Sequence, residues 1–169
     1  MNGIIKVPFP VNEPIYSYAP GTPEREKLAD QIEKMLNEEI EIPLIIGGKE
    51  VKTGNFADCR CPHDHGHLLA RYHKSGAPEV EMAVKAAMEA WKDWSEMDWV
   101  SRAAIFLRAA ELLSGKYRYI LNAATMLGQS KTPHQAEIDS ACELIDFYRF
   151  NPYYMSQIYR EQPDSVRGV

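Results

Sequence analysis

The chain has 169 residues, 45% of them hydrophobic and 25% charged, with a formal net charge of −5 at pH 7. This composition is enough for a folded domain with a buried core, and it argues against disorder throughout. The acidic balance and the scattered basic residues argue against a nucleic-acid or anionic-membrane partner. No apolar run is long enough to span a membrane and no signal peptide is recognisable, so we expect a cytoplasmic protein. Three cysteines do not make a secreted disulfide framework.

The N-terminal segment, residues 1–21, has four prolines and no hydrophobic period. It is predicted to be an extended arm that needs other structure to lie against. Thr22 and Pro23 then predict the start of a helix. Its apolar stripe is predicted to comprise Leu28, Ile32, Met35 and Leu36. After Pro43, the sequence PLIIGGKEV predicts a β-hairpin with a two-residue turn at Gly47–Gly48.

Cysteines and histidines crowd together in the sequence CRCPHDHGH, residues Cys59–His67, with His73 a little further on. Zinc prefers these ligands, but the alternating spacing differs from that of a structural zinc motif. Pro62 and Gly66 favour a turn at His63–His67 between two short strands. We therefore predict no metal site, with a metal-binding turn as the alternative. An enzyme that uses a cysteine nucleophile activated by a histidine is less favoured, because nothing in the sequence supplies an oxyanion hole.

Two more helices are predicted after this segment. Pro78 begins the first, whose small apolar face comprises Ala83, Ala87, Ala90 and Trp94. The second begins near Asp98, with a kink at Gly115 and a stop at Gly128. Its long buried stripe is predicted to comprise Ala103, Leu107, Ala110, Leu113, Ile120, Leu121 and Ala124. Trp91, Trp94 and Trp99 are interpreted as packing residues.

The most informative stretch, Thr125–Asn151, predicts a helix end, a turn and a second helix. Thr132, Pro133 and Gln135 form a capping box, so the second helix begins at Thr132. Helical spacing places Ile138, Ala141, Ile145 and Tyr148 on one face, and Asp139, Glu143, Phe147 and Phe150 on a neighbouring face.

Glu143 is an acidic residue on a partly apolar face of this helix. Its carboxylate must stay hydrated, pair with a cation such as Arg149, or face a ligand, because burial of an unpaired charge is costly. The neighbouring Cys142 points about 100° away and is interpreted as a small core residue rather than a nucleophile.

The segments GQSKT, QAEID, ELIDF and RFN follow one another between residues 128 and 151. They resemble the N-terminal region of the 1-pyrroline-5-carboxylate dehydrogenases. These enzymes are members of the aldehyde dehydrogenase superfamily that oxidise glutamate semialdehyde to glutamate in proline breakdown. The segments at 10–21, 42–48, 62–66 and 102–115 agree in the same order. The resemblance covers essentially the whole chain, but only about the first third of such an enzyme.

The resemblance implies an α-rich α/β fold, with the N-terminal helices and short β-hairpin strands of an aldehyde dehydrogenase. The complete Rossmann-like and catalytic domains would be lacking. It divides the chain into an extended arm at 1–21 and a partial N-terminal domain at 22–169. The family's NAD contacts and nucleophilic cysteine correspond to sequence beyond Val169, and the chain has no glycine fingerprint for a dinucleotide. We therefore expect no catalytic or cofactor-binding residue here, and an inactive isolated chain.

Glu143 is the one site residue that the resemblance carries over. It matches the glutamate of the family's AELIDF segment, which lines the aldehyde pocket near the amino end of the substrate. A carboxylate suits an ammonium group as a charge-assisted acceptor. The complete enzyme would bind this small-molecule substrate and NAD, and is expected to be a homo-oligomer. Its mechanism would be thiolate attack on the aldehyde, hydride transfer to NAD and hydrolysis of the thioester.

The resemblance also implies that this chain's partner is the remainder of the dehydrogenase polypeptide. Exposed aromatic residues at 147–154 would then make the isolated chain sticky. The alternative from another functional class is a standalone, non-catalytic helical interaction protein, with or without metal at Cys59–His67.

Overall fold

The structure, a computed structural model, describes residues 5–161 and 163. It is mixed α/β and rich in helix, as the resemblance implies. Its helices are α1 (Pro23–Leu36), α2 (Ala77–Glu96), α3 (Trp99–Ser114), α4 (Arg118–Gln129), α5 (Pro133–Ala136) and α6 (Glu143–Arg160), with a π-helical segment (Glu137–Cys142) between the last two. Its strands are β1 (Ile40–Ile42), β2 (Leu44–Ile46), β3 (Lys49–Val51), β4 (Phe56–Cys61) and β5 (Asp64–His73). Within the described residues, no helix has the length and apolar character needed to cross a bilayer.

The N-terminal residues 5–19 form neither helix nor strand. They contact α4 and the helices after it, and Tyr18 is buried in a core cluster with Leu28 and Ala123. The division into an arm at 1–21 and a partial domain at 22–169 stays a prediction, and its two ends include residues outside those described.

Helix α1 begins at Pro23, as predicted, but Thr22 does not cap it through its side chain. The Thr22 hydroxyl instead donates to the carbonyl of Ala19 at 2.8 Å, which tightens the turn before the helix. Leu28 is the buried residue of α1 and packs in the cluster with α4. The predicted stripe is shorter than expected, because Leu36 is 39% exposed.

The hairpin of β2 and β3 forms as predicted, with positive φ angles of 58° at Gly47 and 75° at Gly48. Those angles are the ones that a two-residue hairpin turn of type I′ needs, and glycine adopts them without strain. In the second sheet, β5 lies between β1, which is parallel to it, and β4, which is antiparallel.

The turn between β4 and β5 is shorter than predicted. Cys61 pairs directly with Asp64, so the turn contains only Pro62 and His63. The turn predicted at His63–His67 was misplaced, because Asp64 already pairs with Cys61 and residues 65–67 lie within β5, where the register of the ladder is irregular. Strand β5 is consequently ten residues long rather than short.

The single long helix predicted after Asp98 is two helices. Asp98 caps α3 through its side chain, which accepts from the Ser101 N–H at 2.9 Å. The chain then breaks at Gly115, which has a non-helical ψ of −94°, and α4 starts at Arg118. The buried side of α4 is also different from the prediction, since Ile120 and Ala124 are exposed. The buried residues of α4 are Arg118, Asn122, Ala123, Thr125 and Leu127.

The end of α4 lies one residue beyond the predicted stop. Gly128 is helical, and Ser130 takes the left-handed conformation with a φ of 57°. A serine in this conformation is uncommon, because its Cβ crowds the backbone. Its hydroxyl is 2.8 Å from Nδ1 of His63, a contact that ties this turn to the β4–β5 hairpin.

Helix α2 has no buried residue. Its predicted alanine face is exposed, and it meets the rest of the described chain mainly at the β2–β3 hairpin, where Ala86 lies beside Gly47. Trp91 is 64% exposed, so its interpretation as a packing residue does not hold within the described residues. Trp99 does pack, with its ring stacked on Tyr159 at a centroid distance of 5.8 Å.

The helical stretch from Pro133 to Arg160 begins with the predicted capping box. The Gln135 N–H donates to Thr132 Oγ1, and the Thr132 N–H donates to Gln135 Oε1. Ala141 and Ile145 then pack on Ala110 of α3, as their spacing predicted. Ile138 does not join them, because the π-helical segment adds a residue to that turn and rotates it away.

Candidate functional site

A largely apolar groove of about 590 Å³ runs between the N-terminal arm and α6, and we call it the Glu143 groove. The arm contributes Asn12, Glu13 and Ile15. The helical side contributes Ile138, Cys142, Glu143, Asp146, Phe147, Phe150, Asn151 and Tyr154. Phe147 and Tyr154 are more than half exposed, so the groove is open on one side.

The Glu143 side chain is exposed in this groove, one turn before Phe147, as the sequence predicted. The alternative in which Glu143 pairs with Arg149 is not observed. Arg149 instead donates to Glu13 Oε2 at 2.5 Å. No cation among the described residues lies within ion-pair distance of Glu143. The groove therefore presents a free carboxylate beside apolar walls.

A buried charge cluster that the sequence analysis missed lies directly beneath the groove. Arg118 and Glu137 are both 0% exposed and form an ion pair. Arg118 also pairs with Glu13 and donates to the carbonyl of Pro14 at 2.7 Å. The Tyr16 ring covers the guanidinium, with its centroid 3.9 Å from Arg118 Cζ. These contacts fix the arm to α4 and to the π-helical segment.

The Glu137 carboxylate accepts several further hydrogen bonds. The donors are the Tyr16 N–H at 2.8 Å, the Tyr18 hydroxyl at 2.7 Å and Asn122 Nδ2 at 2.7 Å. Burial alone would raise the pKa of Glu137, but the bonds from Arg118, Tyr16 and Tyr18 outweigh it and lower that pKa. Burial and the bond to Glu137 both raise the pKa of Tyr18, so the phenol remains the donor.

Cys142 lies against this cluster and is only 5% exposed. Burial, followed by the negative charge of Glu137, raises the pKa of the Cys142 thiol to about 11. A thiol with such a pKa is protonated at neutral pH and is a poor nucleophile. The structure thus agrees with the interpretation of Cys142 as a core residue.

The cysteines and histidines of the Cys59–His67 segment do not all converge, although Cys61, His63 and His67 line one cavity. Cys61 Sγ lies 3.2 Å from Nε2 of His63, but Cys59 lines a different cavity. His73, at the far end of β5, accepts at Nδ1 from the N–H groups of Thr53 and Gly54. Across the part of the chain that the structure describes, no group of three such side chains is placed to hold a metal ion.

Comparison with known proteins identifies the family. The sequence profile of the aldehyde dehydrogenase family matches residues 25–167, which is most of the chain. The chain belongs to the aldehyde dehydrogenase family.

Several members of the family match the chain over nearly its whole length. The delta-1-pyrroline-5-carboxylate dehydrogenase of Agaricus bisporus is 51% identical over 160 residues, covering 94% of this chain and 29% of that protein. The mitochondrial enzyme of the same name from Dictyostelium discoideum is 44% identical, covering 93% of this chain and 28% of that protein. The chain therefore spans less than a third of these relatives.

The fold agrees with this assignment. The crystal structure of the delta-pyrroline-5-carboxylate dehydrogenase from Mycobacterium tuberculosis bound with NAD superimposes with a TM-score of 0.94 at 44% identity. The match covers 99% of this chain and 32% of that one. The expected fold, the helices and hairpin strands of the N-terminal part of an aldehyde dehydrogenase, is confirmed.

The described residues of this aldehyde dehydrogenase chain do not fit a dinucleotide. Phosphates bind where a glycine-rich loop joins a strand to a helix N-terminus. The junction between β5 and α2 has the single glycine Gly76, whose N–H already donates to the Glu79 carboxylate at 2.7 Å. A carboxylate at that position would repel a phosphate. The glycine pair Gly47–Gly48 lies in a hairpin turn instead.

Proposed function

We propose that this chain is the N-terminal portion of an NAD-dependent dehydrogenase that oxidises L-glutamate 5-semialdehyde, the open form of 1-pyrroline-5-carboxylate, to L-glutamate. The names of the matched relatives and the sequence segments that resemble this family support the proposal. NAD would bind residues supplied by sequence other than those described. The chain alone would be inactive, because the cysteines in its described part are not placed as nucleophiles and the glycines there do not form a phosphate cradle.

Glu143 is proposed to bind the ammonium group of the substrate. The observation that carries this role is an exposed carboxylate without a cationic partner among the described residues, on an otherwise apolar groove. An ammonium donates three hydrogen bonds, and its attraction to a carboxylate strengthens in a groove that excludes water. The neighbouring Phe147 offers an apolar surface to the methylene carbons of the same substrate.

The test is the Glu143→Ala variant of the complete enzyme. We expect its KM for L-glutamate 5-semialdehyde to rise about tenfold or more, with little change for a plain aliphatic aldehyde, since only the first substrate loses a charge-assisted hydrogen bond. Glu89→Ala, on the exposed α2, removes the same charge outside the groove and should leave both KM values unchanged. Equal effects of Glu143→Ala on the two aldehydes would contradict the role.

The homo-oligomer and the cytoplasmic location stay predictions. Some matched relatives are named as mitochondrial and the Agaricus bisporus relative is not, so the location is proposed from this sequence alone. Fractionation of source cells, with an antibody against residues 132–151, would test the location. Size-exclusion chromatography of the complete enzyme would test the oligomer.

A second function, that of a standalone interaction protein, is favoured by one observation. Helix α2 exposes an apolar stripe at helical spacing, Val80, Val84, Met88 and Trp91, each more than half exposed. Such an exposed apolar stripe is typical of a contact surface, which would be buried either by later parts of the same polypeptide or by another protein. The intact mass in source cells decides between the two. A single species of 19.2 kDa would support the interaction protein, and a much heavier one the dehydrogenase.

A further inference from the structure

The arm residue Asn12 lies on the side of the Glu143 groove formed by the arm. Its Nδ2 donates to Asp146 Oδ2 at 2.7 Å, and the backbone N–H of Glu13 donates to Asp146 Oδ1 at 2.7 Å. A carboxylate only accepts hydrogen bonds, so the contact fixes which end of the Asn12 amide is the NH2 group. The carbonyl oxygen Oδ1 is therefore the end directed away from Asp146, and it accepts no hydrogen bond from the other described residues.

The two acidic residues of α6 in the groove have different surroundings. Glu143 and Asp146 are three residues apart, so they lie on the same side of the helix. Both oxygens of Asp146 are occupied by the arm, whereas both oxygens of Glu143 are open among the described residues. Glu13, the third carboxylate in the groove, is neutralised by Arg118 and Arg149. The groove thus keeps excess negative charge, and the Asn12 amide that lines it has an oxygen with no donor among the described residues.

We propose that Asn12 Oδ1 is a second acceptor for the ammonium group that Glu143 receives, and that Asp146 is a positioning residue that orients the Asn12 amide. This inference rests on the proposed function of Glu143. An ammonium carries three donors, more than one carboxylate satisfies with good geometry. An acceptor on the arm takes a further donor from the opposite side of the groove. A substrate without the amino group leaves both acceptors unpaired, so the pair discriminates in favour of the amino aldehyde.

The experiment compares two aldehydes in the complete enzyme. One is L-glutamate 5-semialdehyde, and the other is 5-oxopentanoate, which has the same carbon chain and carboxylate without the amino group. The measured quantity is the ratio of kcat/KM for the first substrate to that for the second. We expect Asn12→Ala and Asp146→Ala each to lower this ratio about tenfold, mainly through KM, the usual effect of losing one hydrogen bond to a charged group.

Asp139→Asn is the matched control. It removes one negative charge from the same helical stretch, but Asp139 lies outside the groove and binds Lys131. We expect this variant to leave the ratio unchanged. Asn12 is exposed, so Asn12→Ala keeps the test valid if Asp146→Ala destabilises the fold.

The outcomes separate this inference from the function on which it rests. An unchanged ratio in Asn12→Ala, alongside a lowered ratio in Glu143→Ala, overturns the role of Asn12 and keeps that of Glu143. An unchanged ratio in both variants overturns both. A proportional loss of activity on the two aldehydes in Asp146→Ala, together with a lower Tm, assigns Asp146 a structural role only and overturns its positioning role.

Discussion

Glu137 gives the sharpest test of the buried charge cluster. Its two oxygens accept hydrogen bonds from Arg118, Tyr18, Asn122 and the backbone N–H of Tyr16, at 0% exposure. The Glu137→Gln substitution keeps the shape but turns one acceptor oxygen into an NH2 donor. That donor would face other donors, and Arg118 would lose one of its two carboxylate partners.

The expected cost follows from the burial of the pair. Removing one partner of a buried ion pair typically costs about 3–5 kcal/mol, because the remaining charge is left unpaired. Glu13 still pairs with Arg118, so we expect the free energy of unfolding to fall by about 3 kcal/mol. A domain has about 5–15 kcal/mol of stability in total, so the loss should be easily measured.

Urea unfolding of the 169-residue chain at pH 7, followed by circular dichroism, measures this change. Asp139→Asn is the matched control, because it breaks an ion pair with Lys131 that is partly exposed and should cost less than about 1 kcal/mol. A loss below about 1 kcal/mol in Glu137→Gln would refute the reasoning. If that variant does not fold, the double substitution Arg118→Met with Glu137→Met should recover folding, because it leaves no unpaired charge from this pair.

Three further predictions concern the same chain. The pKa of Glu137 is lowered in the folded state, so its stabilisation is complete above the ordinary value of 4.5 and is lost as the pH falls through the folded value. Acid titration should therefore show a steeper loss of stability below pH 4.5 in the parent than in Glu137→Gln. Cys142, with a thiol pKa near 11, should react with iodoacetamide at pH 8 at least about tenfold more slowly than the partly exposed Cys59, as peptide mass spectrometry would show. Met88→Glu on α2 should reduce light scattering by the isolated chain and change its free energy of unfolding by less than about 0.5 kcal/mol. Unchanged light scattering would mean that the surface responsible for self-association lies elsewhere.

Local signals in the sequence predicted local structure well. The capping box at Thr132 and the glycine pair at Gly47–Gly48 each act over a few residues, and both formed as predicted. The same reasoning failed at Gly115, where periodicity suggested one helix. A glycine is compatible with either a kink or a break. The buried polar residues Arg118 and Asn122 that follow the break contact the distant arm at Glu13 and Tyr18, which periodicity along the chain does not reveal.

The parts of the site that sequence reasoning missed depend on long-range contacts. Glu13 and Arg118 are 105 residues apart, so no spacing rule connects them. A single arginine near the start of a helix usually indicates a solvated end, and only the fold shows that this one is fully buried. Glu143 was placed correctly beside Phe147, because that pair lies within one regular helix. Ile138 was placed on the wrong face, because a π-helical segment gives no clear signal in one sequence.

Glu13 belongs to both the buried charge cluster and the Glu143 groove, and this double role offers a reason for burying charge here. The Glu13 side chain pairs with Arg118 and Arg149, while its backbone N–H donates to Asp146 in the groove. An apolar contact in place of the ion pairs would give similar stability, but it would allow the arm to slide along the helices. Directional hydrogen bonds to a buried carboxylate and guanidinium fix the arm in one register. That register sets where Asn12 lies relative to Glu143, so the buried charges shape the groove as well as hold the arm in place.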